Sequence, residues 1–431
     1  MSIKHSPTSL SVSSAWERPL VDAKGDDTAL VVTIRAEAGR DQRRLRTPID
    51  VAFVLDHSGS MTGEKLMLVK EAVHVALDHL SDKDRVALVV FNSSVDTLHP
   101  LAAVTAETKA TIRRRLERIE ANSTTNLSGG WLTGCQELAT ESESRTEEAR
   151  HRPKRALLLT DGLANEGITE PYNLTKHATE LRLRGITTTA IGVGQDFDEI
   201  LLSGMTEAGG GTFQYIAHPR ELSAFFAKEI SDLLAITATS PRLRLTLPDG
   251  VHAHLVNAFP AHRAGKTITV DLRDLAAGDE INLVFDIHTA PGEFSTSLRP
   301  SIKLSWTNAE TNARTRFSRE IDGLLRASSH DVEDARANDD ARAIVAIERA
   351  GRSQRDAIDL DRQGRYRESR EAFNAGYANL LAAPDTEAIL AERQITYNLA
   401  AAPMAPLSEE TRKERVHARM QRSRGTRVDR E

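Results

Sequence analysis

The chain has 431 residues, 40% of them hydrophobic and 27% charged, the composition of a soluble globular protein of two or three domains. Its net charge of −6 argues against general affinity for nucleic acid, and its one cysteine, Cys135, excludes an intrachain disulfide and reads as a small core residue. No apolar run nears the ~18 residues of a membrane span, and Met1–Thr8 lacks the apolar core of a signal peptide, so the expected setting is the cytoplasm of a prokaryote.

In chain order, Ser9–Ser13 and Asp27–Ala36 read as strands. From 48 to 235, short apolar runs alternate with helical periods. Strands are expected at 50–56, 86–92, 154–160, 186–193 and 212–216, with amphipathic helices near 64–80, 106–120, 128–142, 172–184 and 219–234. This alternation predicts βαβ units and a mainly parallel sheet covered on both faces. After 235 the pattern becomes apolar–polar alternation broken by Gly and Pro, at 243–248, 252–256, 267–272, 280–287 and 301–306, the signature of a β-sandwich. Strands of the N-terminal segment need partners, since an isolated hairpin is marginal in water. Residues 8–48 are therefore expected to join 236–322 in one sandwich, with the α/β domain, 49–235, inserted between them. From 330 to 405 the chain is helical. Its Gly364-Arg-Tyr366 turn, with Phe373 seven residues on, is similar to the helix turn of a tetratricopeptide unit, and a helical hairpin docked on the other domains is expected. Residues 406–431 form a basic tail. Thr411–Glu431 holds eight Lys/Arg against three Asp/Glu, a composition that predicts a solvated end able to touch nucleic acid or an acidic partner.

The apolar run Val51–Leu55 leads directly into Asp56-His57-Ser58-Gly59-Ser60. At the C-terminal end of a parallel strand, the place where open α/β sheets bind ligands, one carboxylate and two hydroxyls at alternate positions can aim three hard oxygens at one cation. Mg²⁺ accepts such a partial shell and keeps water elsewhere. A second buried-strand pattern, Lys154–Thr160, ends in Asp161-Gly162. Between them, Thr124-Thr125-Asn126-Leu127 opens a helix.

These three segments, in this order, resemble the metal-ion-dependent adhesion site (MIDAS) of the von Willebrand factor type A domain family, over roughly residues 48–235. The resemblance implies a Rossmann-like, doubly wound, mainly parallel α/β sheet, here inserted in an antiparallel β-sandwich and followed by a C-terminal α-helical region. It implies Asp56, Ser58, Ser60, Thr125 and Asp161 as metal positions, with Thr125 preferred over Thr124 because it directly precedes Asn-Leu. Mg²⁺ is the implied ion, with Mn²⁺ or Ca²⁺ as alternatives, and one coordination position is left for an Asp or Glu of a partner protein. A competing reading makes Ser60, Thr125 and Asn126 helix N-caps. Capping leaves Asp161 unexplained, because two carboxylates on one sheet edge repel unless a cation neutralises them. His57 is expected to point away from the cluster, and Glu166 to be a rim charge.

No catalytic motif is present, and no histidine beyond the sequence neighbour His57 is placed to activate Ser58 or Ser60. Gly192-Val-Gly194 and Gly209-Gly-Gly211 lack the context of a nucleotide site. The expected function is therefore non-enzymatic: an adaptor or scaffold in a bacterial multi-protein system. By family analogy its partner is a MoxR-type AAA+ ATPase or a component of a signalling or antiviral defence system. The alternative is a self-assembling protein that forms rings or filaments through metal-bridged subunit contacts.

Overall fold

The structure, a computed structural model, describes residues 10–37, 47–140, 152–401 and 405–423. Ser9 of the first expected strand and 424–431 of the tail lie outside the described residues. The chain opens with β1 (Leu10–Trp16), β2 (Leu20–Asp22) and β3 (Asp26–Ala36). The α/β domain follows: β4 (Asp50–Asp56), α1 (Glu64–His79), β5 (Arg85–Phe91), β6 (Val95–Ala103), α2 (Ala106–Glu117), α3 (Leu127–Thr140), β7 (Lys154–Thr160), α4 (Pro171–Leu183), β8 (Ile186–Val193), α5 (Glu199–Ala208), β9 (Phe213–Ile216) and α6 (Leu222–Leu234). The chain then returns to strands: β10 (Ile236–Thr246), β11 (Val251–Leu255), β12 (Ala261–Ala264), β13 (Thr267–Asp271), β14 (Leu275–Ala276), β15 (Glu280–Thr289), β16 (Ser297–Leu298), β17 (Ser301–Asn308), β18 (Arg314–Glu320) and β19 (Leu324–Ala327). Helices α7 (Ser329–Asp334), α8 (Asp339–Arg362), α9 (Tyr366–Leu381), α10 (Glu387–Ala400) and α11 (Glu409–Ser423) complete it.

The α/β sheet has the order β6-β5-β4-β7-β8-β9, parallel except for the edge strand β6. Every residue of β4 is buried, as a strand between two helical layers requires. Val51, Phe53 and Leu55 meet α1 and α6 on one face, where Phe53 stacks on Phe226 at 6.0 Å between ring centres. Ala52 and Val54 meet α3 on the other, beside Trp131 and Cys135. Helix α3 sits unusually close to the sheet. A Cβ at Gly130 would lie 2.3 Å from Phe91 and one at Gly134 2.3 Å from Val54, so only glycine lets the helix down onto the strands. Burial pushes the Cys135 thiol up to about 12, which makes it an inert core residue.

The strands before and after this domain form one sandwich. Central strand β3 pairs antiparallel with both β1 and β15 in the sheet β1-β3-β15-β11. Leu30, Val32 and Ile34 of β3 pack across onto Leu243, Leu245 and Leu304 of the sheet built on β10 and β17. The α/β domain is thus inserted between β3 and β10.

Helix α8 lays Ala341 and Val345 on Ala29, Val31 and Val284, on the outer face of the first sheet. Arg349 fixes it there, 2.7 Å from Asp286. The helical region extends beyond the expected hairpin: α8 and α9 pair across the Gly364 turn, and α10 packs on both through Ala350, Leu380 and Ile389. The tail is also corrected. Residues 409–423 form α11, which docks on the α/β domain: Val416 enters the core beside α5 and β9, and Lys413 is fully buried. The Lys413 ammonium bonds the Gln195 carbonyl and lies 4.3 Å from the centre of the Phe197 ring. The tail's charge count hides this contact, because its partners are residues of a distant loop. Among the described residues, no helix is long and apolar enough to cross a membrane.

Candidate metal centre

Three loops meet at the C-terminal edge of the parallel sheet. The loop after β4 is tied to the loop before α3 by Gly59 N–H to Ser123 O (3.0 Å) and Asn122 N–H to His57 O (3.0 Å). The α3 loop is tied to the loop after β7 by Asn165 N–H (3.0 Å) and Glu166 N–H (3.2 Å), both donating to Thr125 O. Backbone bonds, rather than the functional side chains, therefore set the spacing of the loops.

Within this frame the side chains form a chain of oxygens. Ser58 N–H donates to Asp56 Oδ1 (2.8 Å), the Ser58 and Ser60 hydroxyls lie 3.1 Å apart, and Ser60 Oγ donates to Asp161 Oδ1 (2.6 Å). Thr125 Oγ1 and Ser60 Oγ converge on Gly162, at 3.4 and 3.6 Å from where its Cβ would be. The absence of a side chain at Gly162 keeps that space free. All five sequence-designated residues are thus brought to one place, and Asp56, Ser58, Thr125 and Asp161 are buried.

The capping alternative is decided for Asn126 and Ser60. Asn126 does cap α3, its Oδ1 accepting from Gly129 N–H at 3.0 Å. Ser60 caps nothing: the residue before α1 is Gly63, without a side-chain cap. His57 is turned away, its Nδ1 2.9 Å from the Glu120 carbonyl oxygen and its Nε2 buried without a partner. Glu166 sits on the rim and accepts from the Thr124 hydroxyl.

Two contributors escaped the sequence reading. Thr160, the last residue of β7, donates its hydroxyl to Asp56 Oδ2 at 2.5 Å and orients that carboxylate. Lys65, in the first turn of α1, ion-pairs with Asp161 Oδ2. No spacing rule exposes either, because both act across the sheet edge.

The electrostatics favour a cation. Burial raises the pKa of Asp56 above its ordinary value, the hydroxyl and amide bonds of Thr160 and Ser58 pull it down, and the nearby Asp161 charge pushes it up again. Lys65 balances Asp161 alone. Buried carboxylates with converging hydroxyls form a hard-oxygen donor set, the kind that suits Mg²⁺, Mn²⁺ or Ca²⁺ rather than a thiophilic metal. The residues present fit such an ion.

Residues 50–228 match the family model of the von Willebrand factor type A domain. The chain is 27% identical over 255 residues to the uncharacterised protein sll0103 of Synechocystis, covering 59% of this chain and 57% of that protein. The chain spans about half the length of the curated relatives it matches. Among solved structures, von Willebrand factor type A from Catenulispora acidiphila superposes with a TM-score of 0.74 at 17% identity, covering 97% of both chains. The ArnB paralog VWA2 from Sulfolobus acidocaldarius gives 0.64 at 16% identity, covering 97% of this chain and 98% of that one. At such identities the likeness concerns the fold, and its coverage extends over the sandwich and helices as well as the α/β domain.

Proposed function

We propose that the von Willebrand factor type A domain of this chain, residues 50–228, is a metal-dependent protein-recognition module whose MIDAS residues are Asp56, Ser58, Ser60, Thr125 and Asp161. Domains of this family mediate protein–protein interaction, often with a metal. The observation that carries the reading is the gathering of the Ser58, Ser60 and Thr125 hydroxyls and two fully buried carboxylates, Asp56 and Asp161, at one edge of the sheet. A bound Mg²⁺, or Mn²⁺ or Ca²⁺, would supply the positive charge this cluster calls for and offer it to an Asp or Glu of a partner. The chain's own residues do the rest. Thr160 and the Ser58 amide hold Asp56 in place, Lys65 balances Asp161, and the loop-to-loop backbone bonds keep the donors together.

The role is non-enzymatic in this reading. Metal-assisted hydrolysis needs a base and a positioned water, and the histidine of these three loops, His57, faces the Glu120 carbonyl instead of the serines. The partner class we favour is an acidic surface in a bacterial, cytoplasmic multi-protein system, either a MoxR-type AAA+ ATPase or a signalling or antiviral assembly. Self-assembly through metal-bridged subunits is the second reading.

The test is affinity capture from lysate of the native host in Mg²⁺ and in EDTA, with Asp56→Ala and Asp161→Ala as controls. A partner retained only by wild type in Mg²⁺ supports the module. Retention in EDTA and by both variants refutes it. Sedimentation of the purified chain with and without EDTA separates self-assembly from recognition of another protein.

A further inference from the structure

Away from the metal centre, the α/β domain, the sandwich and the helical region enclose a cavity of about 390 Å³. Ligand sites of this size are favoured at domain junctions. One wall is apolar: Phe259 and Pro260 from the sandwich line it together with Ile344 and Ile347 of α8. Residues 344, 347, 351 and 355 lie on one stripe of that helix, and position 351 is a glycine. A glycine inside a helix costs ~0.5–1 kcal/mol relative to alanine; here it leaves the stripe open. Gly210, which lies against the Arg182 side chain, and Gly211 add backbone to the lining.

The other end of the cavity carries Arg182 and Arg273. Arg182 donates to the carbonyl of Leu272 (2.6 Å), the residue before Arg273. Among the described residues, Arg182 makes no ion pair, and burial lowers its pKa, so its charge is held at a cost. The nearest acids are occupied elsewhere: Asp271 pairs with Arg242 (2.5 Å) and Asp274 accepts from Ser240 N–H (2.9 Å). Arg273 spends Nη1 on both Asp279 Oδ2 and the Asp274 carbonyl (2.8 Å each), and among the described residues its Nη2 makes no hydrogen bond. The acids that also line the cavity are engaged. Glu280 pairs with Arg35, Glu392 accepts from Gln354 (2.6 Å), and Glu207 and Glu348 have partners of their own.

Two arginines with guanidinium N–H groups to spare, lining the same cavity as an apolar stripe, select one kind of molecule. We propose that this junction cavity binds a small amphipathic organic anion, its acidic head on Arg182 and Arg273 and its apolar body between Phe259 and the Ile344–Ile347 stripe of α8. Because the walls come from all three parts of the chain, an occupant would fix their mutual arrangement.

The test is a fluorescence titration of the full chain with two dyes, the anion 8-anilinonaphthalene-1-sulfonate and its neutral analogue N-phenyl-1-naphthylamine. The anion should bind saturably, one per chain, about tenfold more tightly than the neutral dye, the difference expected for hydrogen bonds to a charged group. Arg182→Gln should abolish that preference while leaving the neutral dye's affinity unchanged, and Arg182→Lys should retain most of it. Ile347→Trp, which fills the chamber, should block both dyes. Equal affinity of the two dyes for wild type would overturn the proposal, and so would undiminished binding of the anion to folded Ile347→Trp. Neither readout depends on Mg²⁺, so this result stands apart from that of the metal centre.

Discussion

Gly134→Ala is expected to loosen the α/β domain although alanine is the better helix former. Glycine to alanine inside a helix gains about 1 kcal/mol from propensity alone. The new Cβ, however, would stand 2.3 Å from Val54 Cγ2, against the 3.4 Å at which ordinary contact begins, so about 1.1 Å (3.4 minus 2.3) must be found. Val54 is β-branched and fully buried in a central strand, so it cannot swing aside. Overpacking of this kind costs about 1–3 kcal/mol, and with a rigid neighbour the upper part of that range applies. The net expectation is a loss of about 1–2 kcal/mol. Native-state hydrogen exchange of the β4 and α3 amides reads the opening of this domain apart from the sandwich and helices. The displacement also lifts the N-terminal loop of α3, so Mg²⁺ affinity, measured by calorimetry, should fall with stability. Val54→Ala alone should cost about 2 kcal/mol as a cavity. Combined with Gly134→Ala it should cost less than the two singles together, since the added methyl enters the vacated space. A Gly134→Ala protein as well protected as wild type, or better, would show that the helix does not rest on the strand as described.

Removing the Lys65 ammonium leaves Asp161 buried and unpaired, so Lys65→Met should destabilise the metal-free protein by about 2 kcal/mol and enlarge the thermal shift caused by Mg²⁺; an unchanged shift in EDTA-treated protein would contradict this role. Asp56 titrates above its ordinary value of 3.8, so the fold favours its protonated form. Its contribution to metal-free stability is present at low pH and disappears as pH rises from about 4 through the raised value, while Mg²⁺ binding releases a proton and weakens as pH falls through that same window. Calorimetry in two buffers of different ionisation enthalpy should detect that proton, and Asp56→Asn should remove it. Lys413→Met deletes a desolvated cation–π contact and a buried hydrogen bond, together about 2–3 kcal/mol; exchange should rise in α11 and β9, with the sandwich unaffected. Uniform protection across α11 in the variant would mean that Val416 alone holds the helix.

The parallel core was legible because its strands are continuous apolar runs and its helices carry regular stripes; β4, β7 and β8 begin and end where the sequence places them to within a residue. Of the edge strands, β9 and β11 were expected and β6 and β18 were not. Strand β6, Val95–Ala103, shows neither a buried run nor alternation and contains Pro100, tolerated only because the strand lies at the margin. Strand β18 reads Arg-Thr-Arg-Phe-Ser-Arg-Glu, charges that protect an edge and disguise a strand. Helix α5 is ten residues long with Gly204 inside it, although Asp198 caps it through two backbone N–H groups. At the metal centre, the residues bound by local spacing were visible, and those bound only by folding, Lys65 and Thr160, were not. For the same reason the junction cavity leaves no trace in the sequence: its walls come from residues 182, 273 and 347, united only by the packing of three domains.

The insertion of the α/β domain also dictates a timetable. The central strand of the first sheet, β3, takes its partner from residues made much later: Arg35 lies opposite Glu280, 245 positions down the chain. At a synthesis rate of about 5–20 residues per second, that partner is absent for roughly 10–50 s. During this interval β1 and β3 can pair only with each other, with Leu30, Val32 and Ile34 uncovered. The α/β domain, whose sheet contacts all fall within its own span, can finish first, and its two flanks end on one turn, where the Ala36 and Ala235 carbonyls accept from Gly278 and Ala277 N–H (2.9 and 2.8 Å). The nascent N-terminal hairpin is thus the segment most exposed to wrong strand pairing, and the inserted domain, by closing the gap between β3 and β10, acts as the assembly jig for the sandwich that will carry it.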